Sequence, residues 1–204
     1  DSLLLHDSTS VNLGLGLHIN KDDAAAYSIT TRHAEIYSDV YINGTSTRLL
    51  ADTLYSYGGI IHQKGTFNMN RFGLMAKYLN VSGADTRTLN YKNSVIALTG
   101  QDTVWNSNGS NLTLNHDSGT VVLAGNSSAY SLLNSAGASF DTIKVINENS
   151  RIAGGGTSTL LSLSAGVSLE FEPNSTWTSD SIQAASSCAS PIFFGSYRDG
   201  VDTA

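Results

Sequence analysis

Glu170 and Glu172 are the only close acidic pair on a stretch that reads as a strand, and at i and i+2 they point to one face. General acid–base cleavage of a glycoside needs two carboxyl groups set about 5–9.5 Å apart around a bound sugar. Trp177, close by in sequence, supplies an aromatic face on which a sugar ring can stack. The same glutamates have a plainer use. Charges on the outside of a strand keep it soluble and blunt pairing with other chains. Catalysis would rest on these two residues alone, so the chain is expected to have no enzymatic turnover of its own.

Contact chemistry is better supplied elsewhere. Tyr55-Ser-Tyr57-Gly-Gly-Ile-Ile-His62 places two aromatics beside a Gly-Gly bend. Rings on a rigid β surface offer large contact area to a sugar at small entropic cost. Tyr55, Tyr57 and Trp177 are therefore the glycan-contact candidates. The competing use of Tyr55 and Tyr57 is to share one strand face and pack on a neighbouring coil or chain. The five histidines, His6, His18, His33, His62 and His116, have no H-x-x-x-H spacing, and no metal or other cofactor is expected. Gly14-Leu-Gly16 lacks the third glycine and the helix of a dinucleotide loop. The single Cys188, in Ala-Ser-Ser-Cys-Ala-Ser, has no partner for an internal disulfide and reads as a small buried or semi-buried filler.

The elements that hold these residues are strands. Leu112 and Leu114 alternate with Thr113 and Asn115, Ile143 and Val145 with Lys144 and Ile146, and Leu169 and Phe171 with Glu170 and Glu172. Period-two alternation marks half-buried strands. Ser107–Thr113, Ser135–Asp141 and Ser164–Glu170 all read Ser-x-Gly-x-x-apolar-polar, with starts 28 and 29 residues apart. A second anchor travels with them, in Ser94–Gly100, Thr120–Gly125 and Ser150–Gly155. A fixed period of this size marks a solenoid, whose coils bury their apolar faces only by stacking. The expected fold is all-β: a β-helix (β-solenoid) with coils of about 28 residues, preceded by a mixed β region. Leu112, Leu114, Val121, Leu123, Ile143, Val145, Leu169 and Phe171 are expected to point inward. A β-sandwich with evenly spaced turns is the competing fold.

Composition fits. Ser, Thr, Asn and Gly make up 84 of the 204 residues and Pro only 2, which suits polar-faced strands and tight bends. The net charge of −6 argues against a nucleic-acid partner, whose footprint would be basic. Charge is uneven: residues 1–40 carry net −4, residues 41–92 net +4, and residues 93–204 net −6. Seven of nine tyrosines lie between Tyr27 and Tyr91. This change of character divides the chain into residues 1–79, a cap or a set of less regular coils, and residues 80–204, the repeat-bearing β-helix. Apolar runs are a few residues long, far short of the roughly 20 of a membrane span. Leu3-Leu-Leu5 is too short and lacks the basic flank of a signal peptide. The chain begins at Asp1 without an initiating Met, and it is expected to be a piece of something longer or a processed product.

The coils Ser107–Asn134, Ser135–Leu163 and Ser164–Phe194, with their Gly-Ser-Asn bends and scarce charge, resemble the β-helical shafts of bacteriophage tail fibres and tailspikes. Gly58-Gly-Ile-Ile-His-Gln-Lys-Gly65 to Tyr78 is similar to a transition segment of such proteins. Autotransporter passenger domains and two-partner secreted adhesins share the style. The phage resemblance implies an extended homotrimer on a virion, outside the cell, joined to other tail proteins and adsorbing to bacterial surface glycan. The alternatives are a bacterial cell-surface adhesin and a polysaccharide-depolymerising β-helix enzyme.

Overall fold

In the computed structural model the residues described are 2–5, 10–20, 22, 25–125 and 129–197. His6 and the last residues of the repeat-bearing span, 198–204, lie outside them. The chain winds as a β-solenoid with three walls of parallel strands. The first wall stacks Ser2–Leu4, Tyr27–Thr30, Thr47–Leu50, Gly65–Asn68, Arg87–Asn90 and Leu112–Asn115. The second stacks Ser10–Val11, Glu35–Ile36, Leu54–Ser56, Leu74–Ala76, Val95–Leu98, Thr120–Leu123, Ser139–Val145, Gly156–Leu163 and Trp177–Ala184. The third stacks Leu17–Asn20, Val40–Asn43, Ile60–His62, Leu79–Asn80, Asp102–Asn106, Ser131–Asn134, Asn149–Ala153, Ser168–Phe171 and Phe193–Ser196. Among the described residues there is no helix, hence none long and apolar enough to cross a membrane.

The all-β stacked-coil fold is as the alternation requires. Coil length varies. Ser139 sits over Thr157, but Thr103 over Leu132, so one coil takes 18 residues and another 29. The 28-residue step from Ser107 to Ser135 is a true stack, with the Ser107 hydroxyl donating to the Ser135 carbonyl at 2.7 Å. Ser164 is out of step with them: Ser107 and Ser135 follow third-wall strands, whereas Ser164 follows a second-wall strand. The three walls run without interruption through residue 80.

Strand ends explain the abundance of asparagine. Among the described residues eight strands close on Asn, at positions 20, 43, 68, 80, 90, 106, 115 and 134. Register stacks Asn68 on Asn90 on Asn115, and Asn80 on Asn106 on Asn134. The side-chain oxygens of Asn68, Asn80 and Asn106 accept the backbone N–H two residues on. Each such Asx-turn bends the chain into the next wall without help from proline. The corner between first and second walls is a tight turn in several coils, closed by Ala34 N–H to Thr31 and Phe72 N–H to Met69 at 2.9 and 2.8 Å. Both of its central residues take positive φ, as Arg32 and His33 (46° and 61°) and Asn70 and Arg71 (50° and 70°) do. That is the signature of a type I′ turn.

The first wall ends at Leu112–Asn115. From there the chain passes from the third wall to the second through residues 135–138 alone, and the second-wall strands lengthen to seven and eight residues. This explains a difference from expectation at Leu112 and Leu114. Val121, Leu123, Ile143, Val145 and Leu169 are fully buried, whereas Leu112, Leu114 and Phe171 are only partly buried against the same core. Among the described residues no first-wall strand lies beneath Leu112 and Leu114 to cover them.

An aromatic series runs down the interior: Tyr91, Trp105, Phe140 and Trp177, with ring centroids 6.3, 5.3 and 5.9 Å apart. The interior also holds charge. Arg48 and Arg87 are fully buried, with guanidinium groups spent on backbone carbonyls. Arg48 donates to Asn43, Gly44 and Ser46. Arg87 donates to Val81, Gly83, Asp85 and Ser110 at 2.6–2.9 Å. The arginines replace strand pairing at corners where carbonyls turn inward.

His62, fully buried beside them, has its Nε2 3.0 Å from the Gly65 carbonyl. Burial pushes its pKa down to about 4, against the Gly65 bond, which raises it, and with the help of the neighbouring Arg87, which lowers it. The unfolded chain, with an ordinary histidine pKa near 6.5, binds the proton first. Stability therefore falls as pH drops through about 6.5, and the loss is complete below about pH 4, at roughly 3 kcal/mol. In urea unfolding, wild type is expected to lose its advantage over His62→Gln between pH 7 and pH 4.5. An advantage that does not change with pH would contradict this.

Candidate functional site

The register of Glu35 on Tyr55 and Ile36 on Ser56 carries Tyr37 over Tyr57 at the corner where the second wall turns into the third. Their rings stack with centroids 4.7 Å apart and planes 9° from parallel. Both hydroxyls converge on one carboxylate: Tyr37 donates to Glu35 Oε2 at 2.6 Å and Tyr57 to Glu35 Oε1 at 3.2 Å. Those hydrogen bonds are the main reason both phenol pKa values are raised. The rings remain open to solvent, at 46% and 41% exposure. A pair of aromatic faces clamped at one end by a shared carboxylate cannot swing away, so a ligand meeting it loses little further conformational freedom.

Around the corner the pattern continues. Tyr41 stacks on His18 at 4.3 Å with planes 2° apart. Asp39 accepts from Gly59 N–H at 2.7 Å and from the Tyr78 hydroxyl at 2.8 Å, and burial together with Asp39 raises the Tyr78 pKa. Tyr37, Asp39 and Tyr41 form one side of an open hollow of about 500 Å³, and the Asn12–Gly16 loop forms the other, with Leu15 fully in solvent. Gly58-Gly59 is glycine for lack of space. A Cβ on Gly58 would lie 2.5 Å from the Ser38 backbone, and one on Gly59 would lie 2.1 Å from the Tyr78 ring. Chemically the corner offers stacking faces, phenol hydroxyls and two carboxylates already engaged, which suits holding a sugar more than cutting one.

Of the residues singled out by sequence, Tyr57 belongs to this corner while also packing on the coil above. Tyr55 is half-buried on the adjoining outer face, its ring 6.0 Å from that of His33. Trp177 is not brought near them. It sits six second-wall strands away, at about 4.8 Å per strand, and its ring joins the interior series with its indole N–H 3.3 Å from the Ser158 hydroxyl. Glu170 and Glu172 are each engaged: Arg151 Nε donates to Glu170 at 2.9 Å, and Gly154 N–H donates to Glu172 at 2.9 Å. Cys188 is exposed. Among the described residues no three His, Cys, Asp or Glu side chains are grouped to hold a metal ion.

Glu35, Tyr37, Asp39 and Tyr41 were not singled out by sequence. Their signal was a local 20-residue step, which sets Glu35-Ile-Tyr37 against Tyr55-Ser-Tyr57 and differs from the 28-residue step downstream. Comparison of the chain with protein families, characterised proteins and solved structures found no match.

Proposed function

We propose that this chain is a β-helical segment of a virion tail fibre or tailspike, extracellular, that binds bacterial surface glycan on its flank and joins other tail proteins along its axis. The observation that carries the reading is the exposed Tyr37–Tyr57 stack, clamped by Glu35 at a corner between two parallel walls. The fold is equally compatible with a bacterial surface adhesin. The reading includes no turnover: the two glutamates that could serve a glycosidase hold Arg151 and the Gly154 turn instead. Polysaccharide incubated with the protein is expected to show no new reducing ends.

Assembly separates fibre from adhesin. Between Glu35 above and Lys144 below, the outer face of the second wall carries Tyr55, Met75, Ala97 and Val122 in register, with Val95 about half exposed beside them. An uncharged stripe of this kind along a shaft is suited to cover by copies of the chain around a common axis. Sedimentation at micromolar concentration is expected to give three chain masses. A single-chain mass would move the assignment to the adhesin.

A further inference from the structure

We infer that the third wall carries a second sugar subsite, at Arg151 and Glu170, which takes one neutral ring through two neighbouring hydroxyls; this rests on the glycan-binding reading above. Arg151 and Glu170 are directly in register on adjacent strands and both point outward. The guanidinium lies between two rings, 4.1 Å from the centroid of Tyr130 and 4.7 Å from that of Tyr197. Stacking on both faces holds the fork flat and leaves only its edges for hydrogen bonding. One edge is used, since Nε donates to Glu170 Oε2. Among the described residues the terminal nitrogens of Arg151 and the second oxygen of Glu170 make no hydrogen bond.

These free atoms border a hollow of about 250 Å³ that Asn149 and Ser168 also line. The volume is below the roughly 300–1,000 Å³ that holds a drug-sized ligand, which limits the occupant to about one sugar ring. Fixed donors beside a fixed acceptor match a pair of adjacent hydroxyls, each of which donates one hydrogen bond and accepts others. Charge selects a neutral ring. Glu170 already balances Arg151, and residues 93–204 carry net −6, so a uronate would meet repulsion. The subsite is far from Tyr37 and Tyr57, several coils further along the stack, so each can be removed without the other.

The test starts from a Tyr37→Ala/Tyr57→Ala protein, titrated by saturation-transfer NMR with the methyl glycosides of glucose, galactose and mannose, and with glucuronate. At least one neutral glycoside is expected to bind this background, and binding is expected to weaken roughly tenfold or more on adding Arg151→Lys or Glu170→Gln. Arg151→Lys keeps the charge but loses the fork, and Glu170→Gln keeps the shape but loses the charged acceptor. The two report separately should one of them fail to fold. If wild type binds neutral sugar and the tyrosine background does not, the Arg151 subsite is overturned while the glycan reading stands. If wild type binds no sugar, both fall. Tighter binding of glucuronate than of any neutral glycoside overturns the neutral class.

Discussion

Trp105→Ala is expected to lower folding stability by about 3–5 kcal/mol, the usual cost of emptying a large aromatic site in a core. Trp105 is fully buried at the centre of the Tyr91–Trp105–Phe140–Trp177 series, so its loss opens a void touching the coils above and below. Its indole N–H also donates to the Ser107 hydroxyl at 3.1 Å, and that hydroxyl in turn donates to the Ser135 carbonyl. Trp105→Phe retains most of the volume but leaves Ser107 without this donor, and it should cost clearly less. The urea midpoint measures both. Equal midpoints for wild type and Trp105→Ala would mean that this interior is not packed as described.

Arg87→Met should cost at least about 3 kcal/mol, because hydrogen bonds to a charged donor contribute about 1.5–3 kcal/mol each and buried acceptors left behind keep their desolvation cost. Four carbonyls depend on this guanidinium, three of them within residues 81–85 and the fourth, Ser110, in the next coil. A methionine of similar length fills the space but satisfies none of them. Arg87→Lys, a point donor without the fork, should recover only part of the loss. The discriminating readout is hydrogen exchange. Amides of residues 81–90 and 109–115 are expected to lose protection before those of the lower coils. Uniform loss along the whole chain would argue against a local clamp.

The solenoid was legible because many of its strands alternate with period two. Val121, Leu123, Ile143, Val145 and Leu169 face inward as their period-two spacing requires. The coil length was not legible. Corner insertions change the step between 18 and 29 residues, so no single period aligns the chain. Ser164-Ala-Gly matched Ser107-Asn-Gly by local turn chemistry while lying at a different corner. A better marker was the apolar-Asn pair that closes strands at Asn20, Asn43, Asn68 and Asn90, well before the Ser-x-Gly copies begin. The partial exposure of Leu112 and Leu114 was equally hidden, because it follows from the absence of a strand below rather than from their own sequence.

The candidate site was half legible. Tyr57 stood out by type, but its partners come from the coil above, 20 and 22 residues earlier, where the pairing register alone makes Tyr37 and Glu35 its neighbours. Trp177 and the Glu170/Glu172 pair have types that permit sugar chemistry. Their surroundings give them other work: an interior packing position, a partner for Arg151, and a cap for the Gly154 turn.

The central claim is that the clamped tyrosine pair holds glycan. Its most direct measurement is the affinity of wild type and of Tyr37→Ala/Tyr57→Ala for purified bacterial surface polysaccharide, with equal unfolding midpoints checked first. Wild type is expected to bind, and the double variant to bind roughly tenfold more weakly or worse, as truncating two central aromatic contacts does. Identical affinity of the two proteins, or no binding of any surface polysaccharide by wild type, would contradict the account.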